Sequence, residues 1–237
     1  MDAKPIVLSV VTATRNRRPL LERLGRSLSA KCKWEWLVAD SSDEPIAFIP
    51  GANIIRAWPP EGVTHALAQL FPRCQGKYVA LLHDDIEPDP GTLDKAIEFM
   101  DLHSEVGQGA FYTRTPSHGC HIPPWGGWMY AKYWIVRREM GNAIGWQDLS
   151  FWHCGSDNDF SARMLEAGYG VVAIPGACVV DHAYQDQAHE MAMKTSHERK
   201  DTERMENLWK PHQPRLKQLW EEKWKSISGP YECTRAH

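Results

Sequence analysis

Residues Ile6 to Val11, IVLSVV, are apolar almost without alternation, so a strand built from them has no face to leave in water. Such a strand belongs inside a sheet covered on both sides. The neighbouring segments fit that requirement. A polar loop, TATRNRR (Thr12 to Arg18), leads to Pro19, which suits the first turn of a helix. Leu20, Leu21, Leu24 and Leu28 give that helix its apolar stripe. WEWLVAD (Trp34 to Asp40) reads as a second strand and ANIIRAW (Ala52 to Trp58) as a third. Thr64 is expected to cap a helix carrying Ala66, Leu67, Leu70 and Phe71. Tyr78 to Leu82 is the next strand, and Thr92 opens a helix with Leu93, Ala96, Ile97 and Met100 facing inward. This alternation predicts an α/β fold with a mostly parallel central sheet and helices on both faces. Ligands of such sheets bind beyond the carboxyl ends of the strands.

The strand at Tyr78 to Leu82 stops abruptly at His83-Asp84-Asp85. Two adjacent carboxylates repel, and burial raises their pKa unless something neutralises them. A divalent cation does so, and hard oxygen ligands beside a loop suit Mg²⁺ or Mn²⁺, which also bridge phosphate oxygens. Taken alone, the pair is better explained by a solvated strand end before a helix cap. Val180-Asp181-His182 ends another strand, and His is a natural ligand for Mn²⁺. Asp157 falls in the first turn of a predicted helix, where the dipole favours a carboxylate. It serves there as a simple helix-end charge or as a general base in the same cleft.

The second half is less regular. YTRTPSHGCHIPPWGGW (112–128) reads as a long loop, and Met129 to Val136 as a strand. GSDNDFSARMLEAGYG (155–170) reads as a helix, with Ser156 and Asp159 as a variant capping box. VVAIPGACVVDH (171–182) reads as two short strands around Pro175-Gly176. From about residue 186 the chain becomes charged and helical. Leu216, Leu219, Trp220, Trp224 and Ile227 fall at helical spacing, so one face of the last helix is apolar. That face is expected to pack on the rest of the chain or on a second subunit, which leaves a homodimer open, with Trp220 and Trp224 largely buried; shallow docking on a membrane is the alternative, weakened by Glu221 and Glu222.

Composition narrows the class. The hydrophobic fraction of 43% and charged fraction of 24% are those of an ordinary globular protein with a sizeable core. A formal charge of −3 gives no global attraction to nucleic acid. The N-terminus lacks the long apolar region of a secretory signal, and no run approaches the length of a membrane span. The six cysteines contain no CxxC pair, so free thiols in a cytoplasmic protein, peripheral to a membrane at most, are expected rather than a zinc cluster.

In order, these pieces resemble a glycosyltransferase of the GT-A fold, most like the large family 2, over roughly residues 5 to 182. VVTATRNR resembles the opening strand and loop of that family, with Thr12 where Pro is common and Arg15 where Tyr is common. VADSSDE resembles the strand ending in an acid that contacts the nucleotide base, with Asp40 in that place. His83-Asp84-Asp85 matches the DxD motif, with His in the first position. SDNDFSARMLEAGY matches the ED motif and its helix, with Ser156 for Glu and Asp157 retained, and IPGACVVDH matches the closing strand that ends in His.

The resemblance implies a GT-A (Rossmann-like, nucleotide-sugar-binding) fold over residues 1–185, with a nucleotide-binding half at 1–100 and an acceptor half at 101–185. A helical extension occupies 186–237. It implies metal-dependent, inverting transfer from a nucleotide-sugar (UDP-, GDP- or dTDP-linked) to an acceptor hydroxyl. The acceptor would be a glycan, a lipid-linked sugar, a protein or a modified nucleic-acid base. Thr12, Ala13, Thr14, Arg15, Asp40, His65, His83 and Asp84 would bind the donor, Asp85 and His182 would hold Mn²⁺ or Mg²⁺, and Asp157 would be the base. Trp125, Trp128, Trp134, Trp146 and Trp152 cluster in the acceptor half, where one or two are expected to stack on a ligand. Two alternatives are weighed. A nucleotidyltransferase normally has a Gly-rich loop after its first strand, and TATRNRR has no glycine. An inactive, sugar-nucleotide-binding homologue is motivated by His83.

Overall fold

The computed structural model describes residues 5–115, 124–125, 128–182 and 186–230. Strands β1 (Leu8–Thr14), β2 (Trp34–Asp40), β3 (Ala52–Arg56) and β4 (Tyr78–Leu81) run parallel in the order β3-β2-β1-β4. Helices α1 (Arg18–Ser27) and α2 (Val63–Ala68) connect them, with Leu21, Leu24, Ala66 and Leu67 buried. The crowding of apolar side chains on both faces of β1 and β4 makes this the core, each buried Val or Leu contributing about 1.5–3 kcal/mol.

The other half of the sheet is mixed. A short β5 (Ile86–Pro88) precedes α3 (Thr92–Leu102), and β6 (Val106–Arg114) comes next. Two residue pairs form a small hairpin, β7 (Pro124–Trp125) with β8 (Trp128–Met129). β9 (Trp134–Arg137) then enters antiparallel between β4 and β6, so it joins the two halves into one eight-stranded sheet. It leads directly into α4 (Arg138–Ile144). After α5 (Ser156–Glu166), β10 (Gly170–Asp181) pairs parallel with β6 and antiparallel with β5. The expected pair of strands around Pro175-Gly176 is therefore one strand with a register shift between Ala173 and Cys178. Gly176 sits at φ +72, a left-handed conformation that costs glycine little, so the strand bulges without ending.

Two helix starts differ from expectation. Gly62, not Thr64, occupies the N-cap of α2, and the Thr64 hydroxyl donates to the Phe151 carbonyl instead. Gly155 at φ +80 occupies the N-cap of α5, so Ser156 and Asp159 form no capping box. Ser156 Oγ donates to His153 O at 3.1 Å, and Asp159 accepts from Arg163 Nε at 2.8 Å and Trp209 Nε1 at 2.9 Å.

The chain ends in α6 (Gln187–Glu198), α7 (Asp201–Trp209) and α8 (Gln213–Lys223). The last packs on α5 and β10. Leu216, Trp220 and Trp224 are buried, and Trp220 Nε1 donates to Val171 O at 2.8 Å. Gly170 provides the room: a Cβ there would lie 2.8 Å from Trp224 Cε3. Among the described residues Cys32, Cys74, Cys154 and Cys178 are free thiols. No helix among them is long and apolar enough to cross a membrane.

Candidate active site

A cleft of about 660 Å³ opens beyond the carboxyl ends of β1 and β4. The loop after β1, the residues after β4, the start of α5 and one side of α6 line it. This is where a parallel sheet leaves unpaired strand ends and helix N-termini together.

The β1–β4 wall is built around one guanidinium. Arg17 Nη1 donates to Asp84 Oδ1 at 3.2 Å and lies 3.5 Å from Asp85 Oδ2. Its Nε and Nη2 donate to Asp186 at 2.8 and 2.6 Å, a bidentate pairing with the residue that caps α6. Thr14 Oγ1 donates to Asp84 Oδ2 at 2.6 Å. Burial, then Asp85, pushes Asp84 up to about 7, with Arg17 and Thr14 pulling the other way. Burial and Asp181 raise Asp85, with Arg17 and Lys132 opposing. Burial disfavours the charged Arg17, but Asp186, Asp84 and Asp85 outweigh it and its pKa is raised. Burial, then Lys132, lowers His83 to about 3, so its imidazole is neutral, edge-on to the Tyr133 ring at 5.0 Å.

The α5 wall carries Asp157. Burial pushes it up to about 7, opposed by Lys132. Gln147 Nε2 donates to Asp157 Oδ1 at 3.3 Å. His153, beside it in the cleft, is lowered to about 4 by burial and then by His189. Lys132 Nζ and Tyr133 OH both reach Asp181 Oδ2, at 2.7 and 2.9 Å. The loop Trp152–Cys154 is held from behind: the buried Asp201 accepts from the amides of Trp152 and His153, both at 3.0 Å.

Of the residues singled out from sequence, Ala13, Thr14, Arg15, His83, Asp84, Asp85 and Asp157 line this one cleft. Among the described residues its wall does not include Thr12, Asp40, His65 or His182. Thr12 is fully buried and its hydroxyl accepts from Trp36 Nε1 at 3.0 Å. Asp40 is 1% exposed and accepts from the amides of Ser42 and Ile46, both at 2.9 Å, and from Arg56 at 3.1 Å. The acid that reaches the cleft after β2 is Asp43, held by Asn16 Nδ2 at 2.8 Å. His65 Nδ1 is buried in α2 without a hydrogen-bond partner. His182 presents Nε2 to Glu87 Oε1 at 2.8 Å. Of the five tryptophans, one or two of which were expected to touch a ligand and the others to be core, Trp152 lines the cleft and Trp134 and Trp146 are core. The side chains of Trp125 and Trp128 lie outside the described residues.

Arg17, Lys132, Gln147 and Asp186 are the functional-site residues that sequence reasoning passed over. Three arginines share the loop TATRNRR, and no spacing rule says which turns inward. The cation set expected from sequence fits the wall in part. Asp85 Oδ1 is buried without a partner, and such an anionic oxygen suits a divalent cation. Among the described residues no three His, Cys, Asp or Glu side chains are grouped as a metal site.

With this geometry in view, residues 9–121 match the family model described as glycosyl transferase family 2. No curated protein sequence matches the chain. Among solved structures the fold is similar to S. aureus TarS residues 1–349, at 14% identity and TM-score 0.60 over 75% of this chain and 60% of that one. TarS 1–349 with UDP-GlcNAc aligns over 94% of this chain and 74% of that one, at 13% identity and TM-score 0.64. The mannosyltransferase PcManGT from Pyrobaculum calidifontis, solved with GDP-Man and Mn²⁺, aligns over 92% and 72%, at 16% identity and TM-score 0.62. The chain thus spans about three fifths to three quarters of these structures. Fold and match together define a GT-A architecture, in which a segment running from β1 past the end of β6 is similar to glycosyl transferase family 2.

Proposed function

We propose that the protein transfers a sugar from a UDP-, GDP- or dTDP-linked donor to an acceptor hydroxyl, with inversion and with the help of Mn²⁺ or Mg²⁺. The reading is carried by one observation: a compensated carboxylate pair, Asp84-Asp85, and an uncompensated carboxylate, Asp157, face the same cleft from different elements. Asp85 would hold the cation with its orphaned oxygen, and His182 would join it by leaving Glu87. A cation bound there offsets charge on the departing nucleoside diphosphate. Arg17 and Lys132 place further positive charge in the same cleft.

The acceptor oxygen attacks the anomeric carbon, the bond from that carbon to the diphosphate oxygen breaks, and the proton passes to the Asp157 carboxylate. A carboxyl whose pKa is about 7 suits that task, since half of it is basic at neutral pH and it takes the proton readily. Ala13, Thr14, Arg15, His83 and Asp84 contact the donor, and the acceptor is a glycan, a lipid-linked sugar, a protein or a modified nucleic-acid base. The compartment proposed is the cytoplasm, with peripheral membrane contact where the acceptor is lipid-linked.

The test is calorimetry of UDP, GDP and dTDP with and without Mn²⁺, then hydrolysis of the matching nucleotide-sugar. Metal-dependent binding lost in Asp85→Ala, with the fold intact by circular dichroism, is the expected result. Unchanged metal-dependent affinity in that variant would remove the cation from Asp85.

A further inference from the structure

Gln147 is 5% exposed, lines the cleft, and leaves one of its two polar atoms without a partner. Its Nε2 donates to Asp157 Oδ1 at 3.3 Å, while Oε1 is buried with no hydrogen bond. A buried amide oxygen without a partner is costly, and where it lines a ligand cleft the missing donor is naturally the ligand's.

The backbone shows that this placement is imposed. Trp146, the preceding residue, sits at φ +58, a conformation bulky side chains rarely adopt. Its ring holds it there, stacked on Phe71 at 4.4 Å and 3°, with Nε1 donating to Asn142 Oδ1 at 2.8 Å. Gly141 leaves the space, since a Cβ there would lie 2.5 Å from the ring. Arg163 Nη1 donates to Ile144 O at 2.8 Å and its Nη2 to Trp146 O, so α5, which carries Asp157, is tied to the same turn. Strained backbone over-determined by its surroundings marks functional sites.

We propose that Gln147 is a substrate-contacting residue that also positions Asp157: Nε2 holds the carboxylate, and Oε1 accepts a hydrogen bond from a substrate hydroxyl. This deepens the sugar-transfer reading and rests on it. The hydroxyl belongs to the donor sugar or to the acceptor, and binding separates the two. The variants are Gln147→Met, near in size without hydrogen bonds, and Gln147→Glu, which keeps an acceptor oxygen but places a second carboxylate beside Asp157.

Gln147→Met is expected to lower kcat/KM for transfer roughly ten- to a hundredfold, the scale of one hydrogen bond lost at a buried site. Removing an N–H that favours the Asp157 carboxylate raises the pKa of that group, so the acid limb of the pH–rate profile moves up, and moves further in Gln147→Glu. If the hydroxyl is the donor's, nucleotide-sugar affinity falls while nucleoside-diphosphate affinity holds. If it is the acceptor's, both hold and acceptor KM rises. Variants with wild-type KM for both substrates and an unmoved pH profile would overturn the proposal. Should Gln147→Met fail to fold, Gln147→Glu alone decides on the pH profile. A wild-type protein that neither transfers nor hydrolyses any nucleotide-sugar overturns the sugar-transfer reading, and this proposal with it.

Discussion

Asp84 and Asp157 face one cleft, and burial raises both to about 7, yet their company differs. Asp84 accepts from Thr14 and Arg17, and Arg17 is itself locked onto Asp186. Among the described residues Asp157 has one long hydrogen bond, from Gln147, and the more distant pull of Lys132. The first arrangement fixes its carboxyl in place through several partners; the second holds its carboxyl loosely. A wall that neutralises a diphosphate needs the former, and a general base needs the latter.

The strongest way to break this contrast is Asp157→Asn. Transfer is expected to fall by roughly 10²–10⁴-fold with nucleoside-diphosphate affinity intact, measured by product formation and calorimetry. Asp159 is not a replacement base, since Arg163 and Trp209 occupy its two oxygens. The same variant reports on stability. Asp84 and Asp157 have folded pKa values of about 7 against an ordinary 3.8, so between about pH 4 and 7 the folded state binds more protons than the unfolded chain. Stability from these groups therefore falls as pH rises through that window and is fully retained below it. Asp157→Asn should be more stable than wild type at pH 8, by on the order of a few kcal/mol in thermal unfolding, with the gap closing below about pH 4.

Arg17→Met tests the other wall. It leaves Asp84, Asp85 and Asp186 facing one another without their shared cation, and breaking a buried pair in this way costs about 3–5 kcal/mol. Urea denaturation should show the loss at pH 8 and a smaller one at pH 5, where Asp84 is protonated in the fold. Equal losses at both values would mean that Arg17 stabilises through packing rather than charge.

Smaller effects lie farther from the cleft. Trp220→Phe keeps most of the buried ring but leaves Val171 O without its donor, and a loss of about 1–3 kcal/mol is expected in thermal unfolding. Sedimentation with anionic vesicles should show no loss on this change, because the apolar face of α8 is already covered by α5 and β10. Arg18→Ala removes an exposed pair with Glu22 and should change stability by less than about 0.5 kcal/mol, the baseline for the others.

The sequence determined what depends on local period and local chemistry. Uninterrupted apolar runs marked β1 and β4, a helical stripe marked α1 and α3, and the abrupt stop at His83-Asp84-Asp85 marked a strand end that opens on the cleft. Asp157 was legible because it opens a helix. Only the tertiary structure decided which groups meet. β9 slots antiparallel between β4 and β6, which a short apolar run does not announce. Thr12 and Asp40 lie at strand positions whose side chains the sheet turns inward, onto Trp36 and onto the turn after β2. Arg17 meets Asp186 across 169 residues. Gln147 is aimed by a φ that only the ring stack beneath Trp146 can hold. The partners that separate the two walls, and the burial that raises both carboxyls, exist only once the whole chain has closed over them.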